Sequence, residues 1–185
     1  MRSKLDLPSP VLGIARVSAV KILGVTVSEN LGVKQHIDEV VSSCSRGLFA
    51  LRTLKSHGLN GSALHMVYRS IITTKLLYAS SSWWGYATAE DINRLERFIA
   101  RSKRMGFCSQ MHPNIETLAK AADSHLLNQI CSNHLHVLHS LLPPSKTHTH
   151  SLRPRAHSRQ LPPLPNSTAS LYINKNFISR ALLQT

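Results

Sequence analysis

Residues 34–55, KQHIDEVVSSCSRGLFALRTLK, set apolar side chains at Ile37, Val41, Cys44, Leu48 and Leu51, in steps of four, three, four and three. That spacing returns to one side of a helix of 3.6 residues per turn, so the stretch reads as an amphipathic helix with a single buried stripe. Gly58 reads as its C-terminal stop, and Ser62 as the N-cap of a second helix that buries Leu64, Val67, Ile71 and Leu76. Trp83 and Trp84 close that helix in a serine-rich stretch. Large aromatics in such a place read as packing against a neighbouring helix rather than as stacking on bases. Thr88 then caps a third helix running to about Met105. Three amphipathic helices with short connections predict a small bundle.

Outward from this centre the pattern changes. Val11 to Val27 is rich in Val and Ile, with partial alternation at Val20, Ile22, Val25 and Val27, and reads as a β-hairpin with turn points at Gly13 and Ser18-Ala19. On the other side, Pro113-Asn114 opens a helix through Leu118 and Ala122, and Asp123 reads as the cap of a further one through Leu126, Leu127 and Ile130. Pro143-Pro144 end regular structure. Residues 145–170 are rich in Pro, Ser, Thr, His and Arg without an apolar period, so disorder is expected there. Tyr172 to Leu183 is left open between a short docked helix and a frayed end.

The chain has 185 residues, enough for one modest core but not for a second full domain. Its formal net charge of +13 favours a polyanionic partner. The charge is uneven: residues 1–123 hold 16 Lys/Arg and all nine acids, whereas 124–185 hold six Lys/Arg, seven His and no acid. Such a tail suits nucleic acid and equally suits a solvated segment. Cys44, Cys108 and Cys131 are too few and too scattered for a disulfide framework, which fits a reducing, intracellular compartment and leaves the nucleus open. Arg2, Lys4, Asp6, Pro8 and Pro10 interrupt any secretory apolar run. Leu64 to Trp84, the most apolar window, contains Arg69 and Lys75 and is a poor membrane span, so no membrane partner is expected.

The third helix carries the sharpest site. At about 100° per residue, Arg94, Arg97, Arg101 and Arg104 fall within an arc of about 80°, with Ile92, Leu95 and Ile99 on a neighbouring face. Only Glu96 opposes that charge after the first turn. A row of guanidinium groups can contact successive phosphates; from charge alone, a solvated basic face is the more ordinary reading. Cys108-x3-His112 with Cys131-x2-His134 has superficial zinc-ligand spacing, but each pair adjoins a helix whose pattern demands packing. His134, His136 and His139 read as a surface run, since no carboxylates accompany them. No Gly-x-Ser-x-Gly elbow supports a hydrolase.

In order along the chain, KILGV (21–25), HIDEV (36–40), LFALRTLKSHGL (48–59), VYRSII (67–72), LLYASSSWW (76–84) and DINRLERFIARSKRMG (91–106) resemble the palm-to-thumb junction and thumb of reverse transcriptases of non-LTR (LINE-type, jockey-like) retrotransposons. The match runs from Lys21 to Met105 and extends more loosely to the end, where Tyr172 to Leu183 is similar to an Asn-x-Phe-x-x-Arg element that the family often carries. The resemblance implies a mainly α fold: a β-hairpin at the end of the palm (1–32), a thumb-like three-helix bundle (33–106), a helical extension (107–142) and a basic, largely disordered tail with room for a short terminal helix (143–185). It also implies that Leu23-Gly24 matches the Leu-Gly of the primer grip, where glycine lets backbone approach a ligand closely. From residues alone, an ordinary turn glycine is an even alternative there. Many family members carry a proline shortly after the Tyr-x-Ser-Leu-Ile match, where this chain has Thr73-Thr74, which leaves the kink unplaced.

The implied parent is an RNA-directed DNA polymerase using magnesium and deoxynucleotides, and its thumb tracks the template–primer duplex through the backbone. That comparison ranks the arginine row as a phosphate contact ahead of a solvated face. Nucleotidyl transfer needs paired carboxylates to hold two divalent ions, which the family places in a Tyr/Phe-x-Asp-Asp turn plus an upstream Asp. Here the adjacent acidic pairs are Asp38-Glu39 and Glu90-Asp91, both near expected helix starts, where negative charge complements the helix dipole. The expectation is a chain with no catalytic residue, metal or cofactor of its own, whose partners are an RNA or DNA template–primer duplex and the palm and fingers of the parent. The competing reading is a small basic helical protein-interaction module, or a remnant of a decayed element.

Overall fold

The computed structural model describes residues 13–145, 159–160 and 175–184. The chain is mainly helical, with a two-stranded antiparallel hairpin at its N-terminal end.

In the hairpin, β1 (Ala19–Ile22) pairs with β2 (Val25–Ser28), Ile22 opposite Val25 and Ala19 opposite Ser28. Leu23 and Gly24 turn the chain with φ of 47° and 86°, the pair of positive angles that a type I′ turn requires. The turn therefore lies at Leu23-Gly24, not at Gly13 or Ser18-Ala19. Its mark in the sequence is the break in alternation between Ile22 and Val25, where the apolar spacing passes from two to three.

Helix α1 (Lys34–Ser56) buries His36, Ile37, Val40, Cys44, Leu48 and Leu51. Val40 replaces Val41 in the stripe, and Val41 is half-buried at its edge. The helix ends as Gly58 demands: at φ 90° it donates its N–H to Lys55 O, and Leu59 N–H reaches back to Leu54 O, so two otherwise unpaired carbonyls are satisfied.

The cap of the next helix, α2 (Gly61–Val67), is Asn60 and not Ser62. Asn60 Oδ1 accepts from Ala63 N at 2.8 Å, and the Ser62 hydroxyl donates to that same oxygen. α2 runs into a π-helical stretch (Tyr68–Thr73) and then α3 (Thr74–Leu76). The buried apolar positions are Leu64, Tyr68, Ile72 and Leu76, four residues apart, with Thr73 buried beside Ile72. In a regular α-helix such positions drift by about 40° per step; the wider π turns hold them closer to one line. Ile71, expected inside, is thereby rotated out and is 53% exposed.

This helix stops at Leu76, before the tryptophans. Leu77 to Ala79 breaks it, Ala79 taking φ 50°, and α4 (Ser80–Trp83) starts anew, followed by a 3-10 turn (Trp84–Tyr86). Thr73 and Thr74 are both helical, so the bend sits after them. Trp83 and Trp84 are buried, and Trp83 Nε1 donates to Tyr78 O at 2.9 Å.

Helix α5 (Ala89–Arg104) opens on a capping box: Asp91 N–H donates to Thr88 Oγ1, and Thr88 N–H donates to Asp91 Oδ2. α6 (Ile115–Ser132) is capped by Asn114, whose Oδ1 accepts from Thr117 N at 2.8 Å. It is continuous through Asp123, which is buried in mid-helix and caps nothing. The helices α1 to α5, with the first turns of α6, enclose one core containing Ile37, Tyr68, Trp83, Leu95, Phe107 and Ile115. A second cluster joins Leu127 and Ile130 of α6 to Leu142 and to Ala181 and Leu182 of α7 (Phe177–Gln184). Of the two readings left open for the C-terminal stretch, the docked helix is the one found. Most of the segment expected to be disordered, 146–158 and 161–170, lies outside the described residues; within the rest, Gln160 N–H donates to Pro144 O and Arg159 Nη1 to Pro143 O.

Candidate nucleic-acid interface

Helices α1 and α5 lie side by side and run in the same direction: Asp38 meets Arg94, Ser45 meets Arg101, and Lys55 Nζ donates to the Met105 carbonyl at 3.0 Å. Between them is a groove of about 420 Å³ lined by Val41, Phe98 and the four arginines Arg94, Arg97, Arg101 and Arg104. The apolar side of α5, Leu95, Phe98 and Ile99, is buried against the core, so burying that side fixes the arginine row along the groove.

The four arginines are not equivalent. Arg94 is half-buried and ion-paired with Asp38, which offsets part of its charge. Arg101 donates from Nη2 to Ser45 Oγ at 3.2 Å and lies over the Phe98 ring, 5.4 Å from its centroid, so it is positioned without being neutralised. Arg97 and Arg104 are exposed. Glu96, the acid expected to oppose the row, turns the other way: its Oε1 accepts from Ile115 N at 2.7 Å, capping the first turn of α6. The groove keeps its positive charge because its nearest in-helix acid is engaged elsewhere.

Leu23 and Gly24 lie apart from the arginines. Leu23 O accepts from Tyr78 Oη at 3.1 Å, and Gly24 abuts the Tyr78 ring so closely that an added Cβ would stand 3.3 Å from Cε1. Gly24 lines a separate depression of about 490 Å³ with Lys21, His36, Glu39, Lys75 and Tyr78, and it shares no lining residue with the arginine groove. Leu23 projects from the hairpin tip, 88% exposed.

The adjacent carboxylates take structural positions. Asp38 and Glu39 fall in the second turn of α1, whose first turn has no acid, so the expected helix-dipole role belongs to Glu90 and Asp91 alone. Glu39 accepts from Lys21 at 2.8 Å and Thr26 at 3.2 Å; the hydrogen bond from Lys21 chiefly holds its carboxyl below the usual range. Cys108 is buried, and burial raises its thiol pKa, while His112 Nε2 lies 3.1 Å from Thr73 Oγ1. Among the described residues no three His, Cys, Asp or Glu side chains are arranged to hold a metal ion. Cys44, buried with its thiol pushed up to about 11 chiefly by desolvation, is a poor nucleophile.

Two features escape sequence reasoning. His36 is 2% exposed in the first turn of α1, edge-on to Trp83, and Arg180 is buried on Asp123. A polar residue directly before Ile37 in the buried stripe was the available signal for His36; Arg180 falls on the arginine of the Asn-x-Phe-x-x-Arg element, but nothing local assigns it a buried partner.

Among the described residues no helix is long and apolar enough to cross a membrane. Comparison with known protein families, with curated proteins and with solved structures finds no match.

Proposed function

We propose that this chain is the thumb and C-terminal extension of a non-LTR retrotransposon reverse transcriptase, and that it contacts template–primer nucleic acid without performing chemistry itself. The supporting observation is the α1–α5 groove, where Arg97 and Arg104 are exposed, Arg101 is held by Ser45 and Phe98, and Glu96 is turned away. Phosphates laid along the groove would displace counterions, so affinity should fall steeply with salt. The ordered matches from KILGV to DINRLERFIARSKRMG support the thumb assignment. The palm, fingers and magnesium-binding carboxylates belong, in this reading, to the parent enzyme.

The test is fluorescence anisotropy with a labelled RNA–DNA primer–template between low and physiological salt. Replacing Arg94, Arg97, Arg101 and Arg104 with Gln should leave helicity unchanged, since Gln and Arg are similar helix formers. The slope of log affinity against log salt should become shallower by about 2 to 3 units, less than one per arginine because Arg94 is already paired. Binding that survives these substitutions and is lost when Lys146, Arg153 and Arg155 become Gln would move the contact to the tail and overturn the proposal.

A further inference from the structure

Phe49 is 72% exposed in the middle of α1, beside the buried Leu48 and Leu51. A single exposed apolar side chain is ordinary; its neighbours here are not. At about 100° per residue, Asp38, Ser42, Ser45, Phe49 and Arg52 share an arc of about 80°. Two of these meet α5, Asp38 through Arg94 and Ser45 through Arg101. The next turn of α1 after Ser45 carries Phe49, and the next turn of α5 after Arg101 carries Arg104. Arg46 and Arg52, both exposed, flank Phe49 one turn before and after it. Phe49 does not itself line the groove; it follows the Ser45–Arg101 contact by one turn of α1, between these two arginines.

We infer that Phe49 is a stacking platform for an unpaired base, and that the groove's preferred ligand is single-stranded RNA or DNA, such as the template strand where it leaves the duplex. This rests on the proposed role of the arginine groove. Bases inside a duplex are stacked on both faces and offer none to a protein ring, whereas an unpaired base offers its π-face whatever its identity. The arginines supply the salt-dependent hold on the backbone; the ring supplies a contribution that salt does not screen.

The experiment compares the full chain with Phe49→Ala, Phe49→Leu and Phe49→Trp, each checked by circular dichroism, for binding a labelled oligo(dT) single strand and a duplex of equal length. Loss of the ring should weaken single-strand binding by roughly five- to a hundredfold, with the salt slope unchanged and duplex binding within about twofold, since the lost contact is neutral and absent from the duplex. Trp should retain or tighten single-strand binding, and Leu should behave as Ala. If the wild-type chain binds both ligands and the Ala variant binds the single strand as tightly as wild type, Phe49 serves another surface, such as a protein contact, and the inference fails while the arginine reading stands. If the wild-type chain binds neither ligand, both fall.

Discussion

The Arg180 guanidinium donates from Nε and Nη2 to Oδ2 of Asp123, at 3.0 and 2.8 Å, across 57 residues of sequence. Its remaining donors reach the Lys175 carbonyl at 2.8 Å and the Ser81 carbonyl at 3.1 Å. One buried side chain thus ties α7 to the middle of α6 and to the start of α4. The C-terminal helix belongs to the fold through this contact and through Ala181 and Leu182 in the second apolar cluster.

Removing either partner of this pair should be costly, because the other remains buried and charged. Arg180→Leu or Asp123→Leu is expected to destabilise the chain by about 3–5 kcal/mol, read as a shift in the urea midpoint. The double variant should cost less than the two singles added together, as residues that act as a unit do. Strict additivity would show that they do not.

His36 sets a second expectation. Its Nδ1 and Nε2 have no hydrogen-bond partner among the described residues, and its pKa is lowered mainly by burial, with Glu39 raising and Lys21 lowering it. A depressed histidine is neutral in the folded state, while the unfolded chain takes up the proton below about 6.5. The associated stability is present above that pH and is lost as pH falls through it. His36→Phe should keep the edge contact with Trp83 and lose less stability between pH 7 and 5 than wild type in parallel urea titrations. An identical loss in both proteins would mean that His36 is not a source of the acid sensitivity.

The thiols should separate by burial. Cys44 and Cys108 are buried with raised pKa values, whereas Cys131 is half-buried at the end of α6. At pH 8 the native chain is expected to show one thiol reacting promptly with Ellman's reagent, and all three after unfolding in guanidinium. Above about pH 9 the unfolded state begins to lose thiol protons that the fold retains, so Cys44 makes stability fall from there toward about 11. Two or more promptly reactive native thiols would contradict this packing.

Leu23 holds φ at 47° while 88% exposed, so it pays for a left-handed backbone without burial in return. Leu23→Asn, suited to a type I′ turn, is expected to stabilise the chain by about 1 kcal/mol. If the hairpin tip touches nucleic acid, the same variant should bind primer–template more weakly despite melting higher. A lower melting temperature would show that the Leu23 side chain has a packing role.

The parts legible in the sequence are those whose cause lies within a turn or two of chain. The apolar spacing of α1 and α5, the Thr88 cap and the Gly58 stop are local hydrogen-bond and side-chain facts, and they appear where the residues demand them. The arginine row follows from 3.6 residues per turn alone. That its charge stays available does not, because it depends on Glu96 finding the N-terminus of α6. Likewise the π stretch exists because Leu64, Tyr68, Ile72 and Leu76 must share one core, a demand set by α1 and α5 and not by residues 68–73 themselves. Asp123 had a local reading as a cap, and a buried partner 57 residues away overrode it. Local pattern settled that these segments are helical and which faces of α1 and α5 are apolar. Tertiary structure settled where the second helix breaks, that α6 runs unbroken, and which charges are paired, because a buried charge is tolerated only where the fold brings a second segment to meet it.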